Sequence, residues 1–252
     1  MSGSEVLARL RAVLVSRAGG YLYNPVRAAG RTCVVCARPV SGHERCYKCQ
    51  QHRGHDGLAD ETAFLTYAVA GQQSGYVMRG YKAPQPLAEH RTIVTLLLYA
   101  GLAGHARCAA LLAGSPVTHW ATVPSLPAKS GEHPFHRLVG RLAPGAEVRL
   151  SAAEWTDYAR AASPDHFSAA GALPADSHVL LMDDTWASGG HAQSAALALR
   201  RAGAGRVSLL VAGRWINRED GNNAAFLRDL ASRDYEPRVC PWTGGDCPPP
   251  RA

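Results

Sequence analysis

The stretch from Val179 to His191, Val-Leu-Leu-Met-Asp-Asp-Thr-Trp-Ala-Ser-Gly-Gly-His, constrains this chain more than any other. Its four leading apolar residues read as a strand of a parallel sheet, because a strand covered on both faces need not alternate. Asp183 and Asp184 end that run, and four small residues, Ala187, Ser188, Gly189 and Gly190, make a tight turn. Ala192, Ala195, Ala196 and Leu199 then recur on one helical face, and the helix stops at Gly203. Val207 to Ala212 is apolar again. The unit is strand, loop, helix, strand, and it predicts an α/β fold.

A turn of small residues feeding a helix N-terminus aims several free backbone N–H groups at one point, where the helix dipole adds partial positive charge. That point suits a phosphate, and side chains larger than those at 187–190 would block the approach. Asp183 and Asp184 stand one step away, within reach of vicinal hydroxyls. A sugar phosphate satisfies both halves. Two other readings of the same residues stay open: a Rossmann-like turn that holds no nucleotide, and an acid pair that only caps the helix.

A second pattern is equally local. Cys33-Val-Val-Cys36, nine intervening residues and Cys46-Tyr-Lys-Cys49 form two C-x2-C knuckles. Together they offer four thiolates to one tetrahedral Zn²⁺, a closed and therefore structural site. The spacer is short for this pattern, but Pro39 and Gly42 can turn a hairpin inside it. Two disulfides, a redox pair or an apo form are the alternatives. His52 could replace one thiolate, and His43 and His55 are read as solvated. The tail holds Cys240 and Cys247, too few for another four-thiolate site. A free pair packed on the core is expected there, with a late disulfide or a zinc shared with other residues behind it. Cys108 is read as a small core residue.

The run from Val179 to Gly190 resembles the phosphoribosyl pyrophosphate (PRPP) signature of type I phosphoribosyltransferases. The four-cysteine ribbon ahead of it resembles the ComF-like branch of that family, as does the Tyr-Lys pair at Tyr81 and Lys82. The resemblance implies a parallel sheet flanked by helices and an enzyme that passes a 5-phosphoribosyl group to an acceptor, in all expectation a nitrogen, with release of pyrophosphate. It implies that Asp183 and Asp184 hold the ribose hydroxyls and that Thr185 and Ala187 to His191 wrap the 5′-phosphate. Lys82, Ser125 and Lys129 would meet pyrophosphate, with His133 and Arg137 near it or the acceptor, and Mg²⁺ would accompany PRPP. Two loop positions depart from the pattern: Ala187 supplies no general base, and His191 stands where Thr or Ser is usual. Glu132-His-Pro-Phe-His136 replaces the family's basic run, so the acceptor is not implied. A non-catalytic PRPP-binding or nucleic-acid-associated accessory protein is the rival reading.

At 252 residues, the chain divides into a helix and lead-in (1–30), the ribbon (31–56), the α/β domain (57–235) and a Cys/Pro-rich tail (236–252). A net charge of +7 favours polyanionic partners, which admits both PRPP and nucleic acid. No long basic run favours nucleic acid, and a homodimer is possible. Glu5 to Arg17 has the apolar spacing of a packing helix rather than a secretory leader, and Ile93 to Gly114 is too polar to span a bilayer, so a cytoplasmic protein is expected. Elsewhere, 63–69 and 76–81 read as a hairpin and 87–112 as one long helix. His119 to Val123 reads as a strand, 135–142 as a helix and 147–150 as a strand. Residues 152–162 and 223–232 read as helices, and Phe167 is expected near the site.

Overall fold

In the computed structural model, which describes residues 2–154, 160–221 and 223–250, five strands line up as one parallel sheet. They are β1 (Glu61–Val69), β2 (His119–Thr122), β3 (Ala146–Glu147), β6 (His178–Trp186) and β7 (Arg206–Ile216), in the spatial order β1-β7-β6-β2-β3. The central pair is in register from His178 opposite Arg206 to Trp186 opposite Arg214. A separate antiparallel pair, β4 (Leu150–Ala152) and β5 (Phe167–Ala169), lies outside the sheet.

The two faces of β6 explain its unalternating sequence. Leu180 and Met182 pack in one layer with Leu14 of α1 (Gly3–Ala18) and Ile93, Leu97 and Leu98 of α4 (Ala88–Gly104). Val179 and Leu181 pack in the other with Ala192, Ala195 and Leu199 of α7 (Gly190–Arg201). Both faces are covered, so every position of the strand core is apolar. The fold is α/β: a five-strand parallel sheet flanked by helices, with an N-terminal four-cysteine cluster.

The chain leaves β2 toward the β3 edge and leaves β6 toward β7, on the other side. Loops after β2 and β6 therefore diverge. A crevice opens at the carboxyl ends of these two neighbours, the place where open α/β sheets bind ligands.

Several expectations change. Residues 76–81 do not pair with β1; they belong to α3 (Gln73–Gly80) and its cap. Ser74, Val77, Met78 and Tyr81 are buried at i, i+3, i+4 and i+7, while Tyr76 is exposed, so helical spacing prevails over the β-propensity of Tyr and Val. The long helix breaks. It ends at Gly104, His105 leaves helical geometry at φ −129°, and α5 (Cys108–Ala113) resumes after a turn. The acids do not end β6, which continues through Trp186. Glu147 to Leu150 splits between β3 and β4, and the helix α6 (Pro134–Val139) is shorter than expected. The helix read over 152–162 falls on residues 155–159, outside the described residues, and Ala152 itself ends β4. The remaining helices are α2 (Tyr47–His52) and α8 (Asn223–Leu230). Among the described residues no helix is long and apolar enough to cross a membrane.

His178 opens β6 wholly buried, with Nδ1 2.8 Å from the Ser115 carbonyl and Nε2 2.8 Å from Ser208 Oγ. The carbonyl can only accept, so Nδ1 carries the proton and Nε2 accepts from the serine. The neutral ring fits both partners. Burial pushes its pKa down, partly opposed by the Ser115 carbonyl. The unfolded chain therefore binds this proton more readily, and stability present above about pH 6.5 is lost as pH falls below it. Unfolding free energies from urea titrations at pH 7.5 to 5.5 should fall with pH, and His178→Asn should flatten that slope. Equal slopes would remove His178 as the cause.

Candidate functional site

The crevice at the carboxyl ends of β2 and β6 holds a cleft of about 290 Å³. Three segments line it: Lys82 after α3, the loop from Val123 to His133 after β2, and Asp183 to Ala192 after β6. Of the residues singled out in the sequence, Lys82, Ser125, Lys129, His133, Asp183, Asp184, Thr185, Ala187, Ser188, Gly189, Gly190 and His191 all meet there. Arg137 does not; it lies exposed on α6 and pairs with Glu132 at 2.9 Å. Arg160 and Trp186 line the cleft as well, although neither was a candidate.

The turn after β6 is built around an indole. Trp186 is buried and meets Phe64 of β1 edge-on at 5.6 Å. Gly189 caps α7 at φ +87°, and a β-carbon there would stand 2.0 Å from the Trp186 ring. One on Gly190 would stand 2.0 Å from the Arg160 carbonyl. Glycine is thus demanded by the protein's own packing, beyond any need to admit a ligand. Ser188 Oγ donates to the same carbonyl at 3.0 Å, which fixes the outer side of the turn. Phe167 packs edge-on to His191 at 6.4 Å, beside the site as expected.

The acids are treated unequally. Asp184 is buried, accepts from Tyr81 Oη at 2.8 Å, and is paired with Lys82. Burial opposes its ionisation, but the Lys82 ammonium and the Tyr81 hydroxyl outweigh it and hold the carboxyl below its ordinary value. Asp183 accepts from the backbone amides of Asp184, at 2.8 Å, and Thr185, and these with the Lys82 charge offset its burial only in part. Burial, and then the charge of Asp184, push its carboxyl up to about 8. His133 caps α6, its Nδ1 accepting from the Phe135 amide at 3.2 Å, so the ring proton sits on Nε2, 3.9 Å from Asp184 Oδ2. Burial lowers the His133 pKa against the pull of Asp184, which keeps the ring neutral near pH 7.

Sulfur ligands gather in two places. Cys33, Cys36, Cys46 and Cys49 bring their Sγ atoms within 4.8 Å of one another, with Cys36 and Cys46 at 3.6 Å. The hairpin does not turn inside the spacer: it turns through the Cys33–Cys36 knuckle, with Thr32 bridging Pro39 and the Gly42 amide donating to the Gly30 carbonyl, so Pro39 and Gly42 lie along its second arm. His52 is buried but is not one of the four. A second group, His105, Cys108, Cys240 and Cys247, converges equally closely. Cys108 is therefore more than core filling, and the tail cysteines are more than a packed pair. Either cluster could hold a metal ion such as zinc.

One buried cation joins the first cluster to the turn. Arg214, on β7, is 2% exposed. Its Nε donates to the Cys36 carbonyl at 2.7 Å and its Nη2 lies 3.4 Å from Cys36 Sγ. Its Nη1 donates to the carbonyls of Trp186 at 3.0 Å and Ala187 at 3.2 Å. The only sequence signal was a charged residue inside an otherwise apolar strand.

No family model matches the chain, and no curated protein matches it.

Arg214→Met should remove the donors to the carbonyls of Cys36, Trp186, Ala187 and Trp215 and cost about 3 kcal/mol or more of stability. Arg214→Lys, which keeps the charge without the planar fork, should recover less than half. Urea midpoints at constant slope check both; a change below about 0.5 kcal/mol for Arg214→Met would overturn the bridging role.

Proposed function

We propose that the cleft binds PRPP and that the protein is a phosphoribosyltransferase, transferring the 5-phosphoribosyl group to a small-molecule acceptor and releasing pyrophosphate. The observation that carries this reading is the convergence of an acid pair with a bare-backbone turn at the mouth of α7. The N–H groups of that turn, with the dipole of a twelve-residue helix behind them, suit the 5′-phosphate. Asp183 and Asp184 suit the ribose hydroxyls: one carboxyl is mostly protonated near pH 7 and can donate, while the other is ionised and accepts.

Lys82, Lys129 and Ser125 supply the cations and the hydroxyl for a departing pyrophosphate. Cleavage of a ribosyl–pyrophosphate bond develops positive charge on the sugar and negative charge on the leaving group. Positioned charges stabilise that state without a nucleophilic side chain. Ala187 then costs nothing, because no general base is needed from the loop when the acceptor arrives already nucleophilic. The hard carboxylate oxygens of the acid pair suit Mg²⁺, which would neutralise charge on the pyrophosphate. Next to the first cleft, sharing Val123, Pro124, Ser125, Lys129 and His133 with it, a second cleft of about 600 Å³ runs under β4 and is lined also by Glu147, Val148 and Leu150. An acceptor entering there would meet the sugar from the side of His133. The four-cysteine ribbon fits a structural Zn²⁺, since its four thiolates leave no position for substrate.

Calorimetric titration of PRPP with Mg²⁺ should give a saturable site, weakened at least tenfold in Asp183→Asn/Asp184→Asn. Equal affinity in both proteins would sink the assignment of the acid pair. Pyrophosphate release with a panel of bases and amines tests the transfer itself. Binding with no release for any acceptor would favour the non-catalytic reading.

A further inference from the structure

The break between α4 and α5 and the irregular tail meet at one point. His105, as the cap of α4, and Cys108, as the first residue of α5, present two ligand atoms from a single turn. Cys240 and Cys247 present two more from a segment without regular structure, and all four ligand atoms lie within 4.8 Å of one another. Tetrahedral zinc with three sulfurs and one nitrogen requires ligand–ligand edges of about 3.5–3.8 Å. The His105 Nδ1 to Cys247 Sγ distance of 3.3 Å is already near that edge.

We propose that His105, Cys108, Cys240 and Cys247 form a second, structural zinc site that staples the C-terminal tail to the α4–α5 turn.

Three independent observations support a metal. The other ring nitrogen of His105, Nε2, lies 3.3 Å from the Pro237 carbonyl. That carbonyl can take only a donor, so the proton sits on Nε2 and Nδ1 is left with its lone pair facing the sulfurs. A backbone carbonyl on the far ring nitrogen is the usual outer support of a zinc-binding histidine. The tail is also folded as a knuckle. Cys240 N donates to the Gly245 carbonyl at 2.8 Å, Gly244 N donates back to Cys240 at 2.8 Å, and the Trp242 and Thr243 amides donate to the Cys240 sulfur. Gly244 turns at φ +77°, and a β-carbon there would press on Arg27.

Charge supplies the third. Three thiolates and a neutral imidazole around Zn²⁺ leave one net negative charge. Arg11 of α1, whose Nε is buried with no acceptor among the described residues, lies over Gly104 and so sets a cation one residue from His105. A disulfide accounts for the site less well. Three free thiols converge, so any pair would leave the third sulfur and the histidine unexplained. A staple also explains how a tail lacking helix or strand keeps Cys240 and Trp242 buried in the main core.

Zinc content of the purified full-length chain, by elemental analysis against protein concentration, is the test. The wild type should carry one more zinc per chain than Cys247→Ser, whatever the N-terminal cluster holds. Cys247 is exposed, so this variant disturbs the core least. X-ray absorption at the zinc edge of the wild type provides a second reading that needs no variant: with both clusters filled, the mean shell contains one nitrogen for every seven sulfurs (four plus three). Equal zinc in wild type and variant, a pure sulfur shell, or an intact mass about two daltons low that reductant restores would each overturn the site.

Discussion

A guanidinium sealed inside the protein is tolerable only where its donors find acceptors, and Arg214 finds them in the Cys36 knuckle, in the Trp186–Ala187 turn and in the carbonyl of its neighbour Trp215. Burying that charge in an apolar interior unpaired would cost several kcal/mol. The cost is offset only when Cys36 is in its knuckle and when Trp186 and Ala187 have turned their carbonyls inward. Residue 36 is 178 positions away from Arg214, yet neither the ribbon nor the cradle can take its final shape without the other. Four thiolates around Zn²⁺ would carry two net negative charges, and Arg214, its Nη2 3.4 Å from Cys36 Sγ, is a cation placed to balance them. Arg27 adds a second, donating to the Val34 carbonyl while its guanidinium lies over the Phe64 ring. The ribbon is therefore an integral support of the cleft wall.

The same economy governs the turn. Trp186 fills the space under the loop, and its indole dictates glycine at 189 through a contact no larger residue could share. A loop fixed in this way has its amides set before any ligand arrives, and preorganised donors are worth most where they need not reorganise. Phe64 holds the indole from β1, and β1 is held at its outer face by the lead-in, where Tyr67 N donates to the Tyr23 carbonyl. Side chains far from the cleft thus define the positions of backbone groups inside it.

What could be read from the sequence was whatever the chain expresses locally. Asp183, Asp184 and the small-residue turn are consecutive, and the knuckle cysteines lie within seventeen residues, so their chemistry shows in the spacing. The strand β6 and helix α7 followed from burial on two faces and on one. Contacts that join distant segments left weaker traces. Lys82 meets Asp184 across 102 positions, and only a resemblance to a family pointed to it. The second cluster joins His105 to Cys247 across 142 positions, through two half-sites each too small to stand out as a motif. Residues 76–81 read as a strand because aromatic and β-branched residues favour strands in isolation, whereas burial from Ser74 to Tyr81 has a helical period that a short window hides.

The charge balance of the cleft bears on how a ligand would enter it. With Asp183 largely protonated and Asp184 ionised, the pair contributes about one negative charge near pH 7, and Lys82 already compensates it. A polyanion approaching this site meets no net repulsion from the acids, while Lys129 remains uncommitted to either of them. Lys82 lines the cleft and is one-third exposed, so its ammonium faces solvent while it stays paired with Asp184. Tyr81, fully buried beside it, keeps one hydrogen bond on Asp184 throughout. A doubly ionised pair would instead set two negative charges side by side in the cleft, and the low dielectric there would magnify their repulsion. The unequal environments of two adjacent residues on one strand, pointing to opposite faces of the sheet, therefore set two carboxyls of different proton affinity side by side in one cleft.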